Sequence, residues 1–163
     1  MRFVTLCFWL CFCVLIGPMS AGAQSARPLN PSPELSPSEV VRIQLEALQH
    51  NDSPQPDAGI AMVFRFSSPG NRAQTGPLPR FSEMLRNGYP QMLNHREVRL
   101  PPPLVQDNEA IQPVEVVSQD GAAYRYLFIL SRQTEPPYTG CWMTDSVVTD
   151  PDLAPPPSPP ETI

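Results

Sequence analysis

The chain is 163 residues long and carries 11 basic residues, all of them arginine, and 16 acidic residues, for a formal net charge of −5. This length suffices for one modest domain with a single core. The absence of lysine excludes Schiff-base catalysis and a Walker-type phosphate site. Acidic residues outnumber basic ones, whereas a general nucleic-acid-binding protein presents a basic surface. We therefore expect no nucleic-acid partner.

The N-terminus has the order of a secretory signal peptide. Arg2 is followed by an apolar run over residues 3–16, a Gly-Pro break and small residues at 21–23, which is the pattern of a cleaved signal. The apolar run is too short to form a stable transmembrane helix. We predict cleavage after Ala23 and no stable membrane span in the mature chain, with a retained N-terminal anchor as the alternative. The predicted location is the periplasm, a thylakoid-type lumen or the extracellular space.

The composition divides the remaining chain into three parts. The composition of residues 24–35 predicts a flexible lead-in, and that of residues 36–149 predicts a single α+β domain. Residues 150–163 form a proline-rich tail that we expect to be disordered. Only Cys141 lies outside the predicted signal, so no intramolecular disulfide is possible. We expect Cys141 to be a buried strand residue, and the alternative is a thiol that reacts or pairs between chains.

Helical periodicity predicts three helices in the first half of the domain. Ser36 is a good N-cap and Pro37 suits the first helical position. A loop through residues 76–77 separates the last two helices, and Gly88 ends the third because glycine accepts the left-handed conformation of a helix terminus. The three helices are predicted at about 37–51, 56–67 and 79–87.

The second half of the domain has the alternating pattern of strands. Four strands are predicted at about 96–100, 111–118, 123–132 and 138–148. Residues 120–121 (Asp-Gly) predict a two-residue hairpin turn, which pairs Val117 with Tyr124 and places Glu115 and Arg125 on opposite faces. Helices followed by strands predict an α+β fold, with N-terminal helices packed on a curved antiparallel sheet of about four strands.

Several segments occur in an order that resembles a known family. They are VVRIQLEAL at 40–48, FRFSSP at 64–69, RNGYP at 86–90, the strand at 124–130 and GCW at 140–142. Together they resemble an uncharacterised domain-of-unknown-function family of bacteria and plants, often exported. Its helix-then-sheet order is similar to the cystatin-like, nuclear-transport-factor-two-like cone. That resemblance implies a fold used by isomerases, dehydratases and cyclases and by non-catalytic binding and dimerisation modules, and it implies no catalytic residue here.

A curved sheet covered by helices tends to leave a cavity at its open end, and we expect the ligand-binding residues there. Tyr89 follows a helix end and could either turn its hydroxyl inward or pack against the turn. Arg125 lies among apolar strand residues and needs a ligand anion or an acidic partner, for which Asp107, Glu109 and Asp145 are the candidates. The candidate ligand-binding residues are Phe64, Phe66, Arg86, Tyr89, Arg125, Tyr126 and Trp142.

Neither a catalytic motif nor a metal-ligand spacing occurs in the sequence, so we predict no catalytic residue, no metal and no cofactor. The favoured function is an exported, non-catalytic domain that binds an unknown small molecule or protein partner. One alternative is an isomerase- or dehydratase-like enzyme in which Tyr89 or His95 transfers a proton. Another is a structural module that forms a homodimer. Its pairing surface would be an outer sheet face made of Val114, Val116, Leu127 and Ile129.

Overall fold

The structure, a computed structural model, describes residues 29–150; the predicted signal peptide and residues 151–163 of the tail lie outside this range. Within it the helices precede the strands, which confirms the α+β class. The helices are α1 (Pro37–Gln49), α2 (Ala58–Phe66), α3 (Pro69–Thr75) and α4 (Leu78–Gly88), followed by a 3₁₀ helix at Pro90–Met92. The strands are β1 (Glu97–Arg99), β2 (Leu104–Gln106), β3 (Glu109–Val117), β4 (Ala123–Arg132) and β5 (Trp142–Thr149).

Helix α1 begins at a capping box, as its first residues predict. The Ser36 amide donates to Glu39 Oε2 at 2.8 Å, and the Glu39 amide donates back to Ser36 Oγ at 3.3 Å, which satisfies two amide groups that the helix start leaves open. On its buried side, Gln44 Nε2 donates to Thr144 Oγ1 of β5 at 2.8 Å. This buried hydrogen bond fixes the position of α1 over the sheet.

Helix α2 begins without a side-chain cap of its own, because Asp57 is in the left-handed conformation and makes no cap hydrogen bond. Asn51, from the loop after α1, takes over that role. Its Oδ1 accepts from the Ile60 amide at 3.1 Å, and its carbonyl oxygen accepts from the Gly59 amide at 2.9 Å. Asn51 is only 3 % exposed, so it joins the two helices inside the fold.

Helix α3 corrects the prediction of a loop between the second and third helices. It has the start signals of a helix, since Ser68 Oγ accepts from the Asn71 amide at 3.1 Å and Pro69 occupies the first position. None of its residues is buried, so apolar periodicity could not reveal it. The Ser68-Pro69 pair was the signal that could have found it. The predicted third helix is α4. Its last residue is Gly88, one beyond the predicted end, and the left-handed conformation expected of Gly88 was wrong, because Gly88 is still helical and Tyr89 follows as the C-cap.

The strands form one antiparallel sheet in the order β1-β3-β4-β5, with β2 also paired to β3. The sheet therefore has five strands rather than about four. Strand β2 is three residues long and follows three consecutive prolines, which is too short a run for alternation to indicate a strand. At the other end, the amide of Ser68 donates to Thr144 O at 2.8 Å, and this contact holds the start of α3 against β5.

The hairpin between β3 and β4 corrects the predicted register by one residue. The Ser118 amide donates to Ala122 O at 2.9 Å, and Gly121 has a φ of +89°, so the loop has three residues and glycine takes its left-handed position. Glu115 consequently lies directly opposite Arg125, and the two form an ion pair with Arg125 Nη2 and Glu115 Oε1 2.7 Å apart. The prediction that they lie on opposite faces was wrong.

The two faces of the sheet differ in burial. The face toward the helices is buried and contains Val114 and Val116, which are 1 % and 0 % exposed. The prediction that these two valines lie on the outer face was wrong, because an error of one residue in register exchanges the two faces of the strand. Leu127 and Ile129 do lie on the outer face with the residues paired to them. Other apolar side chains exposed on that face are Leu104, Ile111 and Val148. Dimerisation through this face stays a prediction.

Candidate ligand-binding site

A cavity of about 180 Å³ lies between helices α2, α3 and α4 and strand β5. Its inner wall is apolar and comes from both layers of the fold. The buried side chains of this wall, which we call the floor, are Leu48, Val63, Phe81, Leu85, Met92 and Phe128. A site that is lined by core side chains from helices and sheet is held by the packing of the whole domain.

The outer part of the lining, which we call the mouth, is mostly polar and comes from α3 on one side and β5 on the other, with the exposed Met84 of α4 beside them. Asn71, Gln74 and Thr75 line it from α3, and Asp145 and Ser146 line it from β5. Helix α3 has no buried residue and is held in place by polar contacts instead. One of them runs from Asn71 Nδ2 to the carbonyl oxygen of Thr144, at 3.2 Å.

A β-bulge places Asp145 at the mouth. Ile129 pairs with Ser146 while the next residue, Leu130, pairs with Thr144, so Asp145 is an extra residue in β5. A bulge bends its strand and changes the direction of the side chain it inserts. Asp145 is partly buried, and it is the single charged residue among the described side chains that line the cavity.

Tyr89 is the one predicted binding residue that the structure places in this cavity. It follows the end of α4, and its hydroxyl donates to the carbonyl oxygen of Val147 at 2.7 Å. Its ring centroid lies 6.0 Å from that of Tyr126. Tyr89 therefore joins the end of α4 to β5 through its hydroxyl group. The same residue also forms part of the cavity wall.

Three other candidates lie on or within the helical layer, outside the cavity lining. Phe64 is half-buried and packs against Phe81 with ring centroids 5.2 Å apart. Phe66 is 0 % exposed in the core. Arg86 forms an ion pair with Asp57, in a separate surface depression between α2 and α4.

The last three candidates belong to the sheet and also lie outside the cavity lining. Arg125 is exposed and paired with Glu115. Tyr126 is 3 % exposed, and burial raises the pKa of its phenol to about 12, so it stays protonated at neutral pH. Trp142 is 8 % exposed and belongs to the core. These aromatic side chains stabilise the layers that enclose the cavity.

His95, one of the two histidines, is buried outside the cavity lining. Its Nδ1 lies 2.9 Å from the Met92 carbonyl oxygen, which can only accept, so Nδ1 carries the proton. Its Nε2 is buried without a hydrogen-bond partner among the described residues. Burial lowers the pKa of His95, outweighing the opposite effect of the Met92 hydrogen bond, and nearby His50 lowers it further.

We expect this histidine to make the protein less stable in mild acid. The unfolded histidine binds a proton below a pKa of about 6.5, whereas the folded one resists protonation, so the free energy of unfolding falls as pH drops below that value. Urea denaturation at pH 7.5 and 5.5 should show a smaller difference for His95→Gln than for the wild type. His50→Gln is the control: it removes an exposed histidine and with it only the smallest of the effects on the His95 pKa, so it should keep most of the wild-type difference. Equal differences in wild type and His95→Gln would contradict the prediction.

Among residues 29–150, no group of three or more His, Cys, Asp or Glu side chains is placed to hold a metal ion. Within the same range, no helix has the length and apolar character needed to cross a bilayer. Cys141 is 3 % exposed just before β5, and burial raises the pKa of its thiol, which disfavours the reactive thiolate.

A model of a family described as a domain of unknown function, DUF4864, matches residues 34–153. The chain belongs to the DUF4864 domain family. The match spans every helix and strand described above, together with all the residues that line the cavity. No curated protein is significantly similar to the chain. The predicted membership in a domain-of-unknown-function family is thereby confirmed, and the function of this DUF4864 domain has to be argued from its own geometry.

Proposed function

We propose that this DUF4864 domain is a non-catalytic binding module that holds a small molecule with an apolar body in the cavity between α2–α4 and β5. The observation that supports it is the apolar floor of a cavity of about 180 Å³. We also propose that the domain works outside the cytoplasm, which rests on the signal-like pattern of residues 1–23. Its helix-then-sheet order supports the further proposal of a cystatin-like cone.

The size of the cavity indicates how much of a ligand it can enclose. An engineered apolar cavity of roughly 150 Å³ stays dry and binds benzene. The cavity described here is slightly larger, at about 180 Å³, so one aromatic ring or a short branched aliphatic group fits against the floor. The polar mouth then faces whatever part of the ligand extends beyond that ring.

Two features favour binding over the isomerase- or dehydratase-like alternative. The Tyr89 hydroxyl proton is engaged by the carbonyl oxygen of Val147, and the hydroxyl has no second proton to donate. His95 is buried outside the cavity lining, so a ligand in the cavity does not reach its imidazole. Proton transfer needs an acid or base within hydrogen-bond distance of the reacting atom. His95 does not meet this condition, and Tyr89 lines the cavity but has its only hydroxyl proton committed to Val147.

The test uses two neighbouring valines of β5 that face opposite sides of the sheet. Val147 lines the cavity, whereas Val148 is 40 % exposed on the outer face. We expect NMR titration to show that the wild type and Val148→Phe bind 2-phenylethanol or 2-phenylethylamine. Val147→Phe places a ring in the cavity, and its affinity should be at least about tenfold lower, as expected when an apolar contact of about 1.4 kcal/mol is lost.

Two results would contradict the proposed binding function. If the wild type binds neither compound, or if Val147→Phe and Val148→Phe bind as tightly as the wild type, the cavity is not the binding site that we propose. A thermal melt of both variants provides the folding control, because a ring added in a closed space can destabilise the domain.

A further inference from the structure

We infer that the cavity selects ligands with a protonated amine, whose ammonium group pairs with the Asp145 carboxylate while its apolar body rests on the floor. This inference rests on the proposed binding function and adds to it the chemical class of the ligand. Three observations carry it: the Asp145 side chain has no partner among the described residues, three hydroxyl groups of the cavity lining already donate their protons, and the chain has a negative net charge.

The Asp145 carboxylate has no partner among residues 29–150. The ion pairs within residues 29–150 join Arg86 to Asp57 and Arg125 to Glu115, and no hydrogen bond to the Asp145 side chain is formed by any described residue. Its β-bulge nevertheless keeps it partly buried at the cavity mouth. A charge that is partly removed from water gains from a counter-ion or a strong hydrogen-bond donor. A ligand in the cavity is positioned to supply one.

Three of the five hydroxyl groups that line the cavity point to the same ligand chemistry. Ser67 Oγ donates to Val63 O at 3.0 Å, Thr75 Oγ1 donates to Asn71 O at 2.9 Å, and the Tyr89 hydroxyl donates to the carbonyl oxygen of Val147 at 2.7 Å. A hydroxyl has one proton, so each of these oxygens can only accept a further hydrogen bond. An ammonium group has only donors and therefore matches this arrangement of acceptors.

The remaining polar side chains at the mouth do not favour the opposite charge. Asn71, Gln74 and Ser146 at the mouth, and Thr144 deeper in the lining, can each act as donor or acceptor, so they adapt to either ligand. No arginine is among the described residues that line the cavity, and a carboxylate ligand would face Asp145 without a compensating cation. The formal net charge of −5 also raises the local concentration of cations around the protein.

The experiment compares three compounds that share one phenyl ring and differ in charge. We expect the purified protein to bind 2-phenylethylamine about tenfold more tightly than 2-phenylethanol, which is the order expected for a hydrogen bond to a charged group, and to bind phenylacetate least. Asp145→Asn should lower the affinity for the amine to that for the alcohol and leave the affinity for the alcohol unchanged. Asp107→Asn, in the exposed turn before β3, makes the same charge change away from the cavity and should have no effect.

The outcomes separate this inference from the function on which it rests. If amine and alcohol bind equally to the wild type, or if Asp145→Asn and Asp107→Asn behave alike, the amine inference is overturned and the binding function stands. If none of the three compounds binds, the proposed function is overturned together with the inference. The comparison of the three compounds on the wild type needs no variant to fold, and Asp145→Ser provides a second removal of the carboxylate.

Discussion

Replacing Gly59 by alanine should destabilise the domain by about 3 kcal/mol or more, at the upper end of what overpacking costs. Gly59 lies in the first turn of α2, against the end of α1. A Cβ atom added there would lie 2.2 Å from the Ala47 carbonyl oxygen and 2.9 Å from the Asn51 Cα. Both neighbours are backbone atoms, so the two helices would have to move apart. That movement would also break the hydrogen bond from the Gly59 amide to the Asn51 carbonyl oxygen.

Gly88 provides the matched control for this substitution. It lies in the last turn of α4, and a Cβ added there has no heavy atom within 4 Å. Gly88→Ala should therefore be neutral or should stabilise the protein by about 0.4–1 kcal/mol, because alanine restricts the unfolded chain. Urea denaturation measures both variants. Similar free energies of unfolding for Gly59→Ala and Gly88→Ala would contradict the close approach of α1 and α2.

Truncating Phe66 to alanine should cost about 3–5 kcal/mol of stability, the range measured when a buried aromatic side chain is removed. Phe66 is 0 % exposed at the end of α2. The next two residues contact β5, where Ser67 bridges to Thr144 and the Ser68 amide donates to Thr144 O. A cavity at Phe66 would therefore loosen the packing of α2 next to the strand that carries Asp145.

Phe64 is the comparison, since it is two residues earlier on the same helix and is only half-buried. Phe64→Ala should cost clearly less than Phe66→Ala, because less apolar area leaves water at that position when the protein folds. Denaturant unfolding of the two variants gives the difference. An equal or larger loss for Phe64→Ala would show that the burial of Phe66 does not hold the helical layer to the sheet.

The elements that the sequence could predict are those that bury a continuous apolar face. Helix α1 has both a capping box and an apolar side, and strand β4 alternates over ten residues. Helix α3 and strand β2 could not be predicted in this way. The first has no buried residue, and the second is three exposed residues long, so neither has a periodic pattern that reports its structure.

The binding site was harder to predict than the fold. Tyr89 could be placed at the cavity because it follows a clear helix end, whereas Phe66 and Trp142 were expected there as aromatic residues and lie in the core instead. Aromatic side chains serve both roles, and composition does not separate them. Asp145 was considered only as a partner for Arg125, which the structure pairs with Glu115.

The sequence by itself determined that helices precede strands, where α1 begins and, to within one residue, where α4 ends, because these depend on residues that are close along the chain. The tertiary structure decided the register of β3 against β4, through a hairpin loop with one more residue than expected. It also decided the position of Asp145, through a bulge in β5 opposite Ile129 and Leu130. Both features depend on how distant strands pair, and a single residue of shift moves a side chain from one face of a sheet to the other.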